Sequence, residues 1–174
     1  MKKIIVALTV AGTCMFTSQV MAQDEQPDPQ PPAPSQRTYK AAVGIRLSSS
    51  PAVVNNSISF RYFFKENQAI EALVSLGDPI AFGALYQIHN PLAVEGLNWF
   101  YGGGAYLGFE KYYHTTKNKD VTEPNVGAQG VVGLDYKFTG IPLNISLDWK
   151  PELNLVREVF FEPAAIGVSA RFTF

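Results

Sequence analysis

The sequence predicts an all-β protein: a closed, eight-stranded, antiparallel up-and-down β-barrel. Three observations carry this. From Tyr39 to Phe174 apolar residues alternate with small or polar ones at a period of two. The alternation recurs in eight runs with no helical segment between them. One face of the runs holds nearly all of their charge, and the other holds essentially none.

In chain order, residues 1–22 read as a secretory signal peptide. Lys2 and Lys3 form its basic start, and Ile4 to Phe16 its apolar stretch, too short to span a bilayer. Val20-Met21-Ala22 places a small residue before a cut between Ala22 and Gln23. Cys14 is a poor lipid site, since Ala11 and Thr13 precede it. The cut would leave 152 residues, no cysteine and a net charge of about −3. Residues 23–38 carry Pro27, Pro29, Pro31, Pro32 and Pro34 without apolar periodicity. They read as a stiff periplasmic tether. The folded domain is then 39–174.

The runs cover about 39–48, 57–64, 69–77, 81–89, 97–110, 126–138, 143–150 and 165–174. The seventh is the cleanest, with Leu143, Ile145, Leu147 and Trp149 against Asn144, Ser146, Asp148 and Lys150. Lys65-Glu66-Asn67-Gln68 and Thr139-Gly140-Ile141-Pro142 form short turns. Asp78-Pro79 and Asn90-Pro91 put proline where no ladder donor is needed. The longer gaps, 49–56, 111–125 and 151–164, with the short 78–80, fall at the opposite end.

Composition excludes several classes. A net charge of −1 with no basic block argues against nucleic-acid binding. One cysteine and two histidines leave no disulfide framework and no metal cluster, and no cofactor is expected. No phosphate loop or nucleophile elbow occurs.

The two faces decide what surrounds the barrel. The charged face carries Lys40, Arg46, Arg61, Glu71, Glu110, Asp135, Lys137, Asp148, Lys150 and Arg171, with many glycines and serines. An aromatic face with no charge would be insoluble in water but suits lipid. The charges therefore point inward, where opposite signs are expected to pair. The expected lumen network is Arg46, Arg61, Glu71, Asp135, Lys137, Asp148 and Arg171, with Gly102, Gly104, Gly108 and Gly133 making room for the arginines. Tyr39, Phe64, Trp99, Phe138, Trp149 and Phe174 fall near run ends, as an interfacial girdle requires. A soluble lipocalin-like carrier, with the apolar face turned inward, is the alternative.

With these residues in place, the chain resembles the small eight-stranded outer-membrane β-barrels of Gram-negative bacteria, the OmpA/OmpX-like group. The resemblance covers the signal peptide and 39–174, and is sharpest in the last run, AIGVSARFTF. It implies that Phe172 and Phe174 form a terminal signal read by the barrel-assembly machinery, a pairing that fits β-augmentation. It also implies an outer-membrane location, short turns toward the periplasm and long loops outward.

Sites for chemistry are few. His114 is followed by Thr115 and Thr116, without the serine two residues on that family lipid-modifying enzymes use. His89 lies at a run end. Tyr101-Gly102-Gly103-Gly104 reads as strand packing, since no helix follows it. Lys111, Lys117 and Lys119 could meet anionic lipopolysaccharide. Val156 to Phe161 is apolar for an outward loop. The expectation is a non-enzymatic barrel with a structural or surface-interaction role. A conduit for small or hydrophobic solutes ranks second, and a lipid-modifying enzyme third.

Overall fold

The structure is a computed structural model. It describes residues 38–48, 53–77, 79–114, 119–156, 159–163 and 165–174, with backbone pairing alone for 110–114 and 119–123. The signal-peptide cut at Ala22 and Gln23 and the proline-rich tether lie outside the described residues.

Ten strands are present: β1 (Ala41–Ser48), β2 (Ser57–Phe63), β3 (Gln68–Ser75), β4 (Ile80–Pro91), β5 (Leu97–His114), β6 (Lys119–Lys137), β7 (Leu143–Trp149), β8 (Glu152–Asn154), β9 (Phe160–Glu162) and β10 (Ile166–Thr173). Each pairs antiparallel with its neighbours, and β10 pairs with both β1 and β7. β5 pairs with β6, so the sheet closes on itself. β8 pairs with β6 above β7, and β9 pairs with β8 above β10. The backbone bonds Lys150 N to Ala165 O and Gly130 N to Pro151 O carry the ladder across both joints. β7–β8 and β9–β10 are thus each one stave with a break, and the barrel has eight staves.

Register fixes the strand tilt. The paired residues Phe172, Val43, Phe60, Ala72, Ala84, Ala105, Ala128, Leu153 and Phe161 trace one path across the strands. The path returns to its starting stave eleven positions from where it began. With about 3.3 Å per residue along a strand and about 4.8 Å between strands, this is a tilt of about 40°. Every residue on the path faces outward; the offset is odd because the β9–β10 joint holds one extra residue, Lys150 lying against Ala165 but Glu152 opposite Glu162, so the period of two slips once there.

The faces divide as the alternation requires. β2 reads buried–exposed without a break, from Ser57 to Phe63, and β10 does the same from Ile166 to Thr173. The outward face exposes Ile45, Phe60, Ile70, Phe82, Leu134, Leu147, Val168 and Phe172. Hydrophobic residues with charged ones on the hidden side invert the usual soluble pattern.

Four sequence expectations change. The gap 111–125 is mostly strand, because β5 and β6 pair through His114 and Lys119. The gap 151–164 holds β8 and β9. Asn90-Pro91 continues β4, with Pro91 opposite Asn98; the turn is 92–96, where Gly96 takes a positive φ of 79°. Tyr39 is buried at 7% and leaves the girdle, while Lys40 is exposed. The cause is a phase slip: Lys40 N and Ala41 N both donate to Phe174 O, and Ala41 and Ala42 are both buried. Two residues facing one is a β-bulge, which turns the preceding side chain to the other face.

Candidate functional site

The lumen is where the chain gathers its chemistry. The buried arginines Arg46, Arg61 and Arg171 come from β1, β2 and β10, and the carboxylates Glu71, Asp135, Asp148 and Glu152 from β3, β6, β7 and β8. An apolar cluster lies beside them, drawn mainly from β3 to β6.

The central ionic cluster is built on Glu71. It stands directly opposite Arg61 on β2, and Arg61 Nη2 lies 3.1 Å from its Oε2. Arg171 Nη2 reaches Oε1 at 2.5 Å from β10. Ser59 Oγ and Gln87 Nε2 donate to the two oxygens, each at 2.5 Å. Arg61 Nη1 extends to Asp135 Oδ1 on β6 at 2.8 Å. Arg171 is also held by Ser59 Oγ and Ser146 Oγ, both at 2.7 Å. One carboxylate thus meets two guanidinium groups, and a second carboxylate meets the charge left over.

Nearer the outward end, Arg46 grips Asp148 through Nε at 3.1 Å and Nη2 at 2.6 Å. Gly167 makes this possible, since a Cβ there would lie 2.4 Å from Arg46 Nη2. The glycines expected to serve that purpose do something else. A Cβ on Gly102 or Gly104 would meet the carbonyls of Tyr86 or Ala84 at 2.0 and 1.8 Å, so these positions admit close backbone approach. A third pair, Lys150 with Glu152, lies above, and Lys150 Nζ also reaches Gln129 Oε1 at 3.3 Å.

Among the described residues the buried charges balance. Arg46, Arg61, Lys150 and Arg171 face Glu71, Asp135, Asp148 and Glu152, all at most 4% exposed. Lys137, expected in the network, sits at the β6–β7 turn. Its Nζ donates to the carbonyls of Phe138 and Ile141, both at 2.7 Å. It is the last residue of β6, where an inward-phase side chain reaches turn carbonyls before any carboxylate. Sequence reasoning left Lys150 and Glu152 out of the network, though Lys150 lies on the inward phase. Glu152 keeps that inward phase beyond Pro151, but it was assigned to the gap 151–164 and so left outside the runs.

The apolar cluster contains Leu73, Ala81, Leu85, Phe100, Tyr106 and Val131. Val54, from the β1–β2 connection, joins them and is fully buried. Val53 N donates to Glu152 Oε2 at 2.9 Å, pinning that connection across the mouth. At mid-height Arg61, Leu73, Leu85 and Phe100 show at most 2% exposure. None of these four side chains is open to water.

His89 belongs to this packing. Its ring stacks on Phe100 at 5.0 Å and 13°, and its Nε2 faces Gln87 Oε1 at 3.2 Å. At 1% exposure it has no surface for a substrate. His114 pairs through its backbone with Lys119. Phe172 and Phe174 lie on the outward face at 55% and 60% exposure, with Phe172 opposite Val43.

No family model matches the chain, and no curated protein does. Among solved structures it is similar to the N-terminal β-barrel domain of Pseudomonas aeruginosa OprF. The two are 12% identical, with a TM-score of 0.54. The match covers 78% of this chain and 96% of that domain. At this identity the likeness concerns the fold: a closed antiparallel eight-stranded β-barrel.

Proposed function

We propose that the chain is a non-enzymatic integral barrel of the bacterial outer membrane, with a structural or surface-interaction role. The observation that carries this is the inverted partition of the wall. The outward face is apolar all round, and the inward face closes four cations against four anions. In water the outward face would drive aggregation; against acyl chains it is the required surface. The likeness to the OprF barrel domain supports the same reading.

The cleavable signal between Ala22 and Gln23 and the delivery of Phe172 and Phe174 to the assembly machinery belong to this proposal. So do lipids and lipopolysaccharide as surroundings, and the outward segments 111–125 and 151–164 as contact surfaces. The filled lumen argues against the conduit reading. Gel mobility of the detergent-extracted protein, boiled and unboiled, tests the proposal. A heat-dependent shift in the outer-membrane fraction is the expected result. A soluble periplasmic protein without a shift would overturn it in favour of an apolar-cored carrier. Sugar-driven swelling of vesicles holding the protein should equal that of empty vesicles, and faster swelling would restore the conduit.

A further inference from the structure

The outward apolar surface is not level. On the β9–β10 stave it runs through Phe174, Phe172, Ala170, Val168, Ile166, Phe161 and Val159, with no charge among them. One residue of the joint bulges, so fourteen steps contribute, a rise of about 35 Å at the tilt found above. On the neighbouring β1 the outward row is Val43, Ile45 and Leu47, about 10 Å. An outer-membrane barrel's apolar band is about 25 Å tall. Measured up from Phe174, Phe161 stands about 5 Å above such a band and Val159 about 10 Å above it. Both are nonetheless wide open, at 53% and 78%, with Leu155 beside them at 54%.

We infer that the bilayer's hydrocarbon is drawn up over the β8–β9 extension, so that Leu155, Val159 and Phe161 contact acyl chains. This rests on the membrane reading above. One feature argues for lipid as the occupant: the patch is continuous with the lipid-facing row of Val168 and Ile166 below it. The short β1–β2 side and the tall β8–β9 side would then meet membrane of different thickness, a local mismatch that bilayers accommodate at modest cost.

The test uses the full chain carrying Cys14→Ser, reconstituted in phosphatidylcholine vesicles, with single cysteines bearing a nitroxide. Phe161→Cys and Val159→Cys report on the patch, Leu147→Cys on the mid-band and Lys65→Cys on the exposed β2–β3 turn. Collision with dissolved oxygen and with a water-soluble nickel chelate is read at each site. The expected result is an oxygen-to-nickel ratio at 161 and 159 close to that at 147 and several-fold above that at 65. Ratios at 161 and 159 matching 65 overturn the inference and leave the membrane reading intact. Shielding from both reagents also overturns it, in favour of a protein partner on this patch. A water-like ratio at 147 overturns the membrane reading itself. Two patch sites guard against one substitution disturbing the fold.

Discussion

Replacing Glu71 with glutamine should be among the most damaging single changes in this barrel. The amide keeps the size and can still accept from Ser59, but it removes the charge that meets Arg61 at 3.1 Å and Arg171 at 2.5 Å. Asp135 alone then answers two buried guanidinium groups, from 2.8 Å on one of them. Breaking a buried pair on one side costs about 3–5 kcal/mol, because the remaining charge stays desolvated. The upper half of that range is expected here, since two cations lose a partner. Removing one cation as well should restore much of the loss. In Glu71→Gln with Arg171→Met, Arg61 keeps Asp135 and the cluster is neutral again. The double variant should therefore be more stable than the sum of the singles by about 2–3 kcal/mol. Urea unfolding in detergent micelles, followed by the fluorescence of Trp99 and Trp149, measures all four forms. A Glu71→Gln cost below about 1 kcal/mol, or strictly additive effects, would refute the idea that charge pairing holds the lumen together.

Three further outcomes are expected. Gly167→Val should cost about 1–3 kcal/mol in the same unfolding assay, because its side chain would strike Arg46 and spoil its grip on Asp148. Val54→Ala should cost about 2 kcal/mol by emptying space among Leu73, Leu85 and Tyr106, whereas Val94→Ala, in an exposed turn, should fall within about 0.5 kcal/mol of the parent. Phe174→Ser should lower the amount of heat-shiftable barrel in outer-membrane fractions while changing the stability of refolded protein by less than about 1 kcal/mol, since the ring is 60% exposed; equal losses in both assays would make Phe174 a stability residue.

What the sequence determined by itself is the part of the fold that is local. A strand turns its side chains out and in with a period of two, so alternation alone shows which residues share a face. That was enough to number the staves and to place Arg46, Arg61, Glu71, Asp135, Asp148 and Arg171 on the inward side. Alternation also extends only as far as its phase. It failed at Lys40-Ala41, where a bulge turned Tyr39 inward. It failed again at the β9–β10 joint, where Phe161 and Ile166, an odd number of residues apart, both face outward. The tertiary structure alone decided who pairs with whom. Arg46 and Asp148 are 102 residues apart, and Arg61 and Asp135 are 74 apart. Their meeting depends on stave order, on the eleven-position offset of the closed register and on a glycine at 167 that lets one arginine lie flat. It also decided that Lys137 bonds its own turn and that Val54 closes the mouth. These are consequences of closure, because only a wall joined to itself brings inward faces across a common axis.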